Sequence, residues 1–584
     1  MNRLNAMNRL TSTGPAVGAG TEMVPNRGHE LSPMRFGVTV RARNALATAL
    51  VVAMAALIWL PRRGGPIDMR TDGAVYYILG TSLAEGKGYK LLNEPGDIDA
   101  VQYPPLLPAV VAVHQRALGT SDPTIVGRAL RVTSFLLFLV YAAITLWFLN
   151  GFLSTGLTIL GTMLSLFSLS VVFFSDTLFS DVWFSVATLL FVILVRRQGI
   201  VGSGLAYLAA LASYTLRTIG VTAFAVWVLQ SLVRRRYREA AVRAMLTLIP
   251  FAGWQLYVAS VERSAAYVHP AYEYQRAPYL FYNVTYARNI ALRDPLIPEK
   301  GQARIARRVA RNVLLGVPVS LGETLTAPRR FFETVLSEML GNGPIVRTLI
   351  VWGTFVALSV AGAVLVAGGA GTLLLAGEWI VPLYLALYFV AMCLTPFPGQ
   401  YLRYLMPVTP LVALCGIVLL RALGARWPFL LLGPALLIQA LVVASVYRRE
   451  YLPVSYVDAA GRRTSYTLLF YYQRGFDEAV DYLRTHAEPT SIVAAGMPHW
   501  VYLRTGLKAV MPPLEQNVAT AERLLEDVPV NYLIVGNDEF GRYTVPVVGA
   551  FADRWQPAYA APAGGWTVYR RVDKPAAMRH PPGS

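Results

Sequence analysis

Charge is scarce in this chain. Only 15% of its 584 residues are charged and 55% are hydrophobic, whereas a soluble protein carries about a quarter charged residues. That deficit excludes an ordinary water-soluble globule. Cysteine is nearly absent, and the two present, Cys393 and Cys415, both fall in apolar runs, which excludes a disulfide framework in the hydrophilic segments. Histidine is sparse too, and His114, His269 and His499 do not stand at metal-ligand spacing. No metal site is legible and no cofactor is expected, the need for a metal ion staying open. Acids are fewer than bases, 34 against 52, for a net charge of +18. In a soluble protein that balance would point to nucleic acid. Here the position of the charge relative to apolar runs matters more, and no nucleic-acid partner is expected. Internal repeats and low-complexity segments are also missing.

What is abundant is long apolar sequence. Crossing ~30 Å of hydrocarbon as a helix takes about 20 mostly apolar residues. Segments near 45–61, 126–149, 154–174, 181–195, 202–217, 219–233, 242–260, 346–367, 371–394, 403–421 and 428–446 approach or meet that length. The pattern predicts an α-helical polytopic protein in the lipid bilayer, with about eleven transmembrane helices. Residues 1–43 read as a disordered, basic cytoplasmic tail. The apolar run after it is followed by Pro61-Arg62-Arg63 without a small-residue cleavage pattern, so it reads as an uncleaved signal anchor.

Basic residues then set the orientation. With the N-terminus inside, the short cytoplasmic loops hold Arg196-Arg197, Arg234-Arg235-Arg236 and Arg421 with Arg426. The long segments 62–125 and 261–345 and the C-terminal region 447–584 fall outside. The expected location is the cell inner (plasma) membrane, multi-pass, with an extracytoplasmic C-terminus. In the first segment a helix starts at Thr71-Asp72, and a second follows Pro104-Pro105; both are expected along the membrane surface. The C-terminal region alternates helix with short strand: a helix at Phe476–Thr485, a strand from Ser491, extended pieces at Val501–Leu503 and Ala509–Met511, a helix at Ala519–Leu525, a buried strand at Tyr532–Val535 and an edge strand at Gly565–Arg571. That alternation predicts a small α/β domain.

Four external sites carry candidate chemistry. The first segment reads Asp72-Gly73-Ala74-Val75-Tyr76-Tyr77, then Gly86-Lys87-Gly88-Tyr89, then Gln102-Tyr103-Pro104-Pro105. Phe179-Ser180-Asp181-Val182 opens the fourth apolar helix, with Asp176 close by as a competitor. Thr215-Leu216-Arg217-Thr218-Ile219-Gly220 precedes the sixth. Arg403-Tyr404-Leu405-Met406-Pro407 opens a late one. Each has a structural alternative. Asp72 and Asp181 stand where helix N-caps stand, and Arg217 and Arg403 where interfacial arginines snorkel to headgroups.

Taken in order and on one side of the membrane, these motifs resemble the bacterial GT-C glycosyltransferases, nearest the group of protein O-mannosyltransferases and aminoarabinose transferases. The resemblance spans roughly residues 45–570. It implies a GT-C-like transmembrane domain over 44–446. It implies transfer of a sugar from a polyprenyl-phosphate donor to a glycolipid, polysaccharide or protein acceptor, by an inverting single displacement. Asp72 would then be the base that a weakly nucleophilic acceptor needs. Arg217 and Arg403 would hold the leaving phosphate through their bidentate forks. Asp181 would orient the acceptor or hold Arg217, and Tyr76, Tyr103 and Lys87 would line the substrates. One departure matters: where aminoarabinose transferases tend to place an acid–lysine pair before Pro-Pro, this chain has Gln102-Tyr103, which argues against aminoarabinose as the donated sugar. A transporter or flippase for a glycolipid or envelope precursor is the competing class. It would favour inverted repeats and ionisable residues within the spans; here the charges cluster at helix ends.

Overall fold

The computed structural model describes residues 41–197, 199–276, 285–291, 302–341, 343–395, 397–449, 452–457, 463–468 and 474–573. The expected disordered tail therefore lies outside the described residues, apart from its last three, which already belong to the first helix. All eleven predicted segments contain helix. Seven helices among the described residues are long and apolar enough to cross a membrane, and shorter apolar helices lie among them.

Chain order explains the architecture. Helix α1 (Arg41–Trp59) leads to a looped segment holding α2 (Asp72–Ala84), the two-residue strands β1 (Lys90–Leu91) and β2 (Ile98–Asp99), and α3 (Leu106–Leu118). The bundle continues with α4 (Pro123–Asn150), α5 (Thr155–Phe167), α6 (Leu169–Phe174), α7 (Asp181–Leu194), α8 (Gly199–Leu216), α9 (Val221–Val233) and α10 (Tyr237–Glu262). Helix α7 packs against both α4 and α8, and α9 lies against the helix Ile380–Cys393.

Two faces of the helix Pro344–Leu375 show what its environment is. Ile350, Thr354, Leu358, Gly362, Val366, Gly369 and Leu373 are buried at helical spacing. Ile345, Leu349, Trp352, Val356, Val360 and Val364 form an exposed stripe on the other side. Helix α10 likewise exposes Met245, Leu248, Ile249 and Leu256. Apolar stripes of this length have no counterpart on a water-soluble surface; their solvent is lipid, and the chain is a multi-pass membrane protein.

Several boundaries differ from expectation. The glycine-rich stretch Gly368-Gly369-Ala370-Gly371 does not end a helix at 367. It stays helical because it sits in a close crossing: a Cβ on Gly369 would stand 2.0 Å from the Cys415 carbonyl oxygen. The actual turn follows at Gly377, whose φ of +82° suits glycine. The segment 154–174 is broken at Ser168. The segment 261–345 is more than a loop, since Val317–Leu325 is a short bundle helix whose Gly322 lies directly on the backbone of Leu358. Helix α2 is not an exposed surface helix. Nine of its residues are buried, between α3 and the C-terminal region.

The C-terminal region is a small α/β domain preceded by a hairpin, β3 (Leu452–Val457) and β4 (Arg463–Leu468). Its sheet contains β5 (Ile492–Ala494), β6 (Lys508–Val510), β7 (Tyr532–Gly536), β8 (Trp555–Ala560) and β9 (Trp566–Arg571), in the order β6-β5-β7-β9-β8. Strands β6, β5 and β7 run parallel; β9 and β8 are antiparallel. Two expectations are corrected. Val501–Leu503 is not extended but part of the helix Pro498–Thr505, which Pro498 opens at its first position. Strand β9 is interior rather than an edge, because β8 covers it after the helix Gly541–Ala550, neither of which the sequence pattern revealed.

Candidate active site

Two loops bring the two acids together. Asp68 and Thr177 form a parallel β-bridge, with the Asp68 amide donating to the Asp176 carbonyl at 3.3 Å and the Leu178 amide to the Asp68 carbonyl at 2.8 Å. Four residues beyond each bridge partner stands an acid that opens a helix: Asp72 on α2 and Asp181 on α7. Neither acid acts as an N-cap. The cap positions belong to Thr71 and Ser180, and neither makes a side-chain capping bond, so both carboxylates are free to face the arginines.

Arg403 bridges them. Its guanidinium lies 2.8 Å from the Asp72 carboxylate and 3.3 Å from that of Asp181. Arg217, at the end of α8, ion-pairs with the other oxygen of Asp181. Asp181 is completely buried beneath this clasp. It carries both guanidinium groups and has no surface open to the cavity. Asp72 keeps partial exposure and accepts a hydrogen bond from the Tyr103 hydroxyl at 3.1 Å. The Tyr76 hydroxyl shares a 3.2 Å hydrogen bond with Ser180, and its ring meets that of Tyr103 edge-on at 5.1 Å. Phe179 supports Arg403 from below, 4.3 Å from the guanidinium to the ring centre.

The cluster lines one wall of a cavity of about 720 Å³. Asp72, Tyr76, Tyr103, Arg217 and Arg403 all face it, as does Gln102. Lys87 does not. It is exposed on the turn after α2 and pairs with Glu85 at 2.8 Å, so the structure does not bring it to the site. Asp176 is also elsewhere, buried against Arg131 at 2.9 Å. Burial, with Asp72 nearby, pushes the Tyr76 hydroxyl up to about 12, and the same two causes hold Tyr103 well above its ordinary value. Both phenols stay protonated at neutral pH and remain donors.

The opposite wall comes from the C-terminal domain: His499, Asn537, Asp538, Glu539 and Trp566. None of these was a site candidate in the sequence, where His499 was named only as a histidine without metal-ligand spacing. A signal existed, because ligands of open α/β sheets sit beyond the carboxyl ends of parallel strands, and Gly496 stands two residues after the end of β5 and Asn537 directly after that of β7. Burial lowers His499 to about 3, so it is a neutral imidazole near pH 7. A second, apolar cavity of about 240 Å³ shares Pro104 and Thr218 with the first and lies between Tyr214 on α8 and Pro250, Gly253 and Trp254 on α10. Among the described residues, no group of three or more histidines, cysteines and acids could hold a metal ion.

The basic loops lie at the other ends of the same helices. Helix α7 runs from Asp181 towards Arg196, α9 runs from the Arg217 turn to Arg234, and Tyr401–Leu423 runs from Arg403 to Arg421. The two arginines of the site are therefore not part of the basic belt.

No protein-family model and no curated protein matches this chain. Among solved structures, it is similar to the archaeal oligosaccharyltransferase AglB from Archaeoglobus fulgidus, in complex with an inhibitory peptide and a dolichol-phosphate. The identity is 10%, over 92% of this chain and 75% of that one, with a TM-score of 0.49. It is also similar to ArnT from Cupriavidus metallidurans in the apo state (12% identity, 91% and 98% of the chains, TM-score 0.42). The same ArnT bound to undecaprenyl phosphate matches at 11% identity, 93% and 100%, with a TM-score of 0.40. Likenesses at this level assign no role to any residue here.

Proposed function

We propose that the protein is a membrane glycosyltransferase that moves a sugar from a polyprenyl-phosphate donor to an acceptor hydroxyl or amine at the extracytoplasmic face of the inner membrane. One observation carries this reading: paired arginines and a partly exposed carboxylate line a large cavity that shares Pro104 and Thr218 with an apolar pocket between membrane helices. An anionic head with a long apolar tail fits that combination.

In this reading the tail enters between α8 and α10, and the phosphate settles on Arg217 and Arg403. The donor phosphate then competes with Asp72 for Arg403, which frees the Asp72 carboxylate to turn towards the acceptor. The acceptor oxygen or nitrogen attacks the anomeric carbon while Asp72 takes its proton. The bond from the anomeric carbon to the phosphate oxygen breaks, and the electron pair leaves on the polyprenyl phosphate. Charge develops on that oxygen as it leaves, and fixed guanidinium groups stabilise it there. A single displacement of this kind inverts the anomeric centre. The acceptor, whether glycolipid, polysaccharide or protein, enters beneath the C-terminal domain. Support for the orientation comes from the basic loops at the opposite end of the bundle, read as cytoplasmic by the positive-inside rule.

The test uses purified protein in nanodiscs, supplied with undecaprenyl-phosphate hexoses and pentoses and with candidate acceptors. Wild type is expected to consume at least one donor and Asp72→Asn to lose transfer. Full transfer by Asp72→Asn removes Asp72 as the base. Donor moved across the bilayer without being consumed replaces this reading with transport.

A further inference from the structure

The residue between the bridge and the base is held from an unexpected direction. Thr71, which immediately precedes Asp72, adopts φ 56°, ψ −127°, a left-handed conformation that costs a non-glycine residue about 1–3 kcal/mol. Such a conformation persists only where its surroundings over-determine it. On its N-terminal side stands Arg70, whose side chain is 0% exposed. Its guanidinium pairs with Asp68, the bridge residue, at 2.9 Å and with Asp477 of the C-terminal domain at 2.6 Å. Trp500, from the same domain, lies 5.2 Å from that guanidinium and donates its indole N–H to Asp477 at 2.8 Å. The Arg70 carbonyl in turn accepts from the Gly73 amide at 3.2 Å, closing the turn that carries Asp72.

Resting on the glycosyl-transfer reading above, we infer that Asp477 and Arg70 are positioning residues. Through them the C-terminal domain holds the strained Thr71 turn and aims the Asp72 carboxylate at Arg403 and the acceptor. Asp477 reaches the Asp72 turn through its ion pair with Arg70, and its effect on the reaction passes along that contact. The domain is then more than a lid. With Asp477 in place the turn is fixed, and without it Thr71 relaxes and Asp72 drifts. A misplacement of about 1 Å in a reacting group costs on the order of a hundredfold in rate.

The full-length chain with Asp477→Asn tests this. The substitution keeps the size and the Trp500 hydrogen bond but removes the charge facing Arg70. Hydrogen exchange read by mass spectrometry should accelerate in residues 69–76 and stay unchanged in the C-terminal domain. That readout is independent of the reaction. In the transfer assay, kcat should fall at least about tenfold while the donor KM stays within about threefold. Thr71→Gly, which removes the strain that the clamp opposes, should restore part of kcat in the double variant; loss of a merely structural contact would gain nothing from it. Unchanged exchange at 69–76, or exchange rising across the whole domain, overturns the inference, as does an unchanged kcat or a loss that Thr71→Gly does not relieve. Local exchange behaving as expected in a protein that consumes no lipid-linked sugar overturns the glycosyl-transfer reading, and the aim of Asp72 with it, while leaving the clamp itself established.

Discussion

Arg403 and Asp181 are 222 residues apart in the chain and 3.3 Å apart in the structure. With Arg217 on its other oxygen, Asp181 neutralises one side of two cations that would otherwise repel each other. The expected consequence of Asp181→Asn is a loss of stability of about 3–5 kcal/mol, since removing one partner leaves buried charge uncompensated. Asp72→Asn, at a partly exposed position, should cost far less. Thermal unfolding in detergent distinguishes them. Equal stability losses would contradict the assignment of Asp181 as the orienting acid and Asp72 as the base.

Arg403 also makes a prediction of geometry rather than of charge. It uses separate nitrogens for Asp72 and Asp181, which a planar fork permits and a single ammonium does not. Arg403→Lys should therefore retain the charge yet lose at least about tenfold in affinity for undecaprenyl phosphate, because the bidentate contact is gone. Binding measured in nanodiscs checks it. Lysine supporting wild-type affinity would mean that a point charge suffices.

Away from the site, the bundle depends on glycine contacts that composition does not advertise. The Cβ that Gly369→Val introduces would stand 2.0 Å from the Cys415 carbonyl oxygen, where only backbone movement makes room. Overpacking of this kind costs about 1–3 kcal/mol or more. Gly371, with nothing within 4 Å of its would-be Cβ, is the matched control, and Gly371→Val should change thermal stability little.

These cases show what could be read in advance. Asp72, Asp181, Arg217 and Arg403 were legible because acids and arginines at the outer ends of apolar helices stand out against a charge-poor background, and helix direction alone puts them at one membrane face. The pairing of Asp181 with Arg217 was one of two roles the resemblance implied for that acid, but the bridging of both acids by Arg403 was not legible. It depends on the Asp68–Thr177 bridge and on Arg403, contacts between distant segments that periodicity does not encode. Lys87 was misplaced because a Gly-Lys-Gly turn reads as polar and external whether or not it bends towards the site. The C-terminal wall of the cavity escaped notice because Asn537, Asp538 and Glu539 lie in a short loop after β7, His499 in a short helix and Trp566 at the start of β9, where no local pattern separates a lining residue from a connecting one. The helix ending at Leu375 was cut short because glycines that serve close packing look, in sequence, like glycines that end helices.

His499 gives the pH dependence its sign. Burial holds it at about 3, partly offset by the charge of Asp72, while in the unfolded chain a histidine takes up its proton near 6.5. Between those values the unfolded state binds more protons, so stability rises with pH across the window and is lost as pH falls. The full contribution is present above about pH 6.5, and each unit below it costs roughly 1.4 kcal/mol. Between pH 7 and 5 the loss should reach about 2 kcal/mol, and His499→Gln should flatten it. Asp477 behaves differently. Burial alone would raise it, but the Arg70 guanidinium beside it holds it below the usual carboxylate range. Its contribution is therefore complete above about pH 4 and disappears only as pH falls through its depressed value, so Asp477→Asn should leave the slope between pH 5 and 7 unaltered. Thermal unfolding of the three proteins across that range separates the two groups. A flat wild-type profile would mean that the unfolded and folded chains hold His499 in the same protonation state.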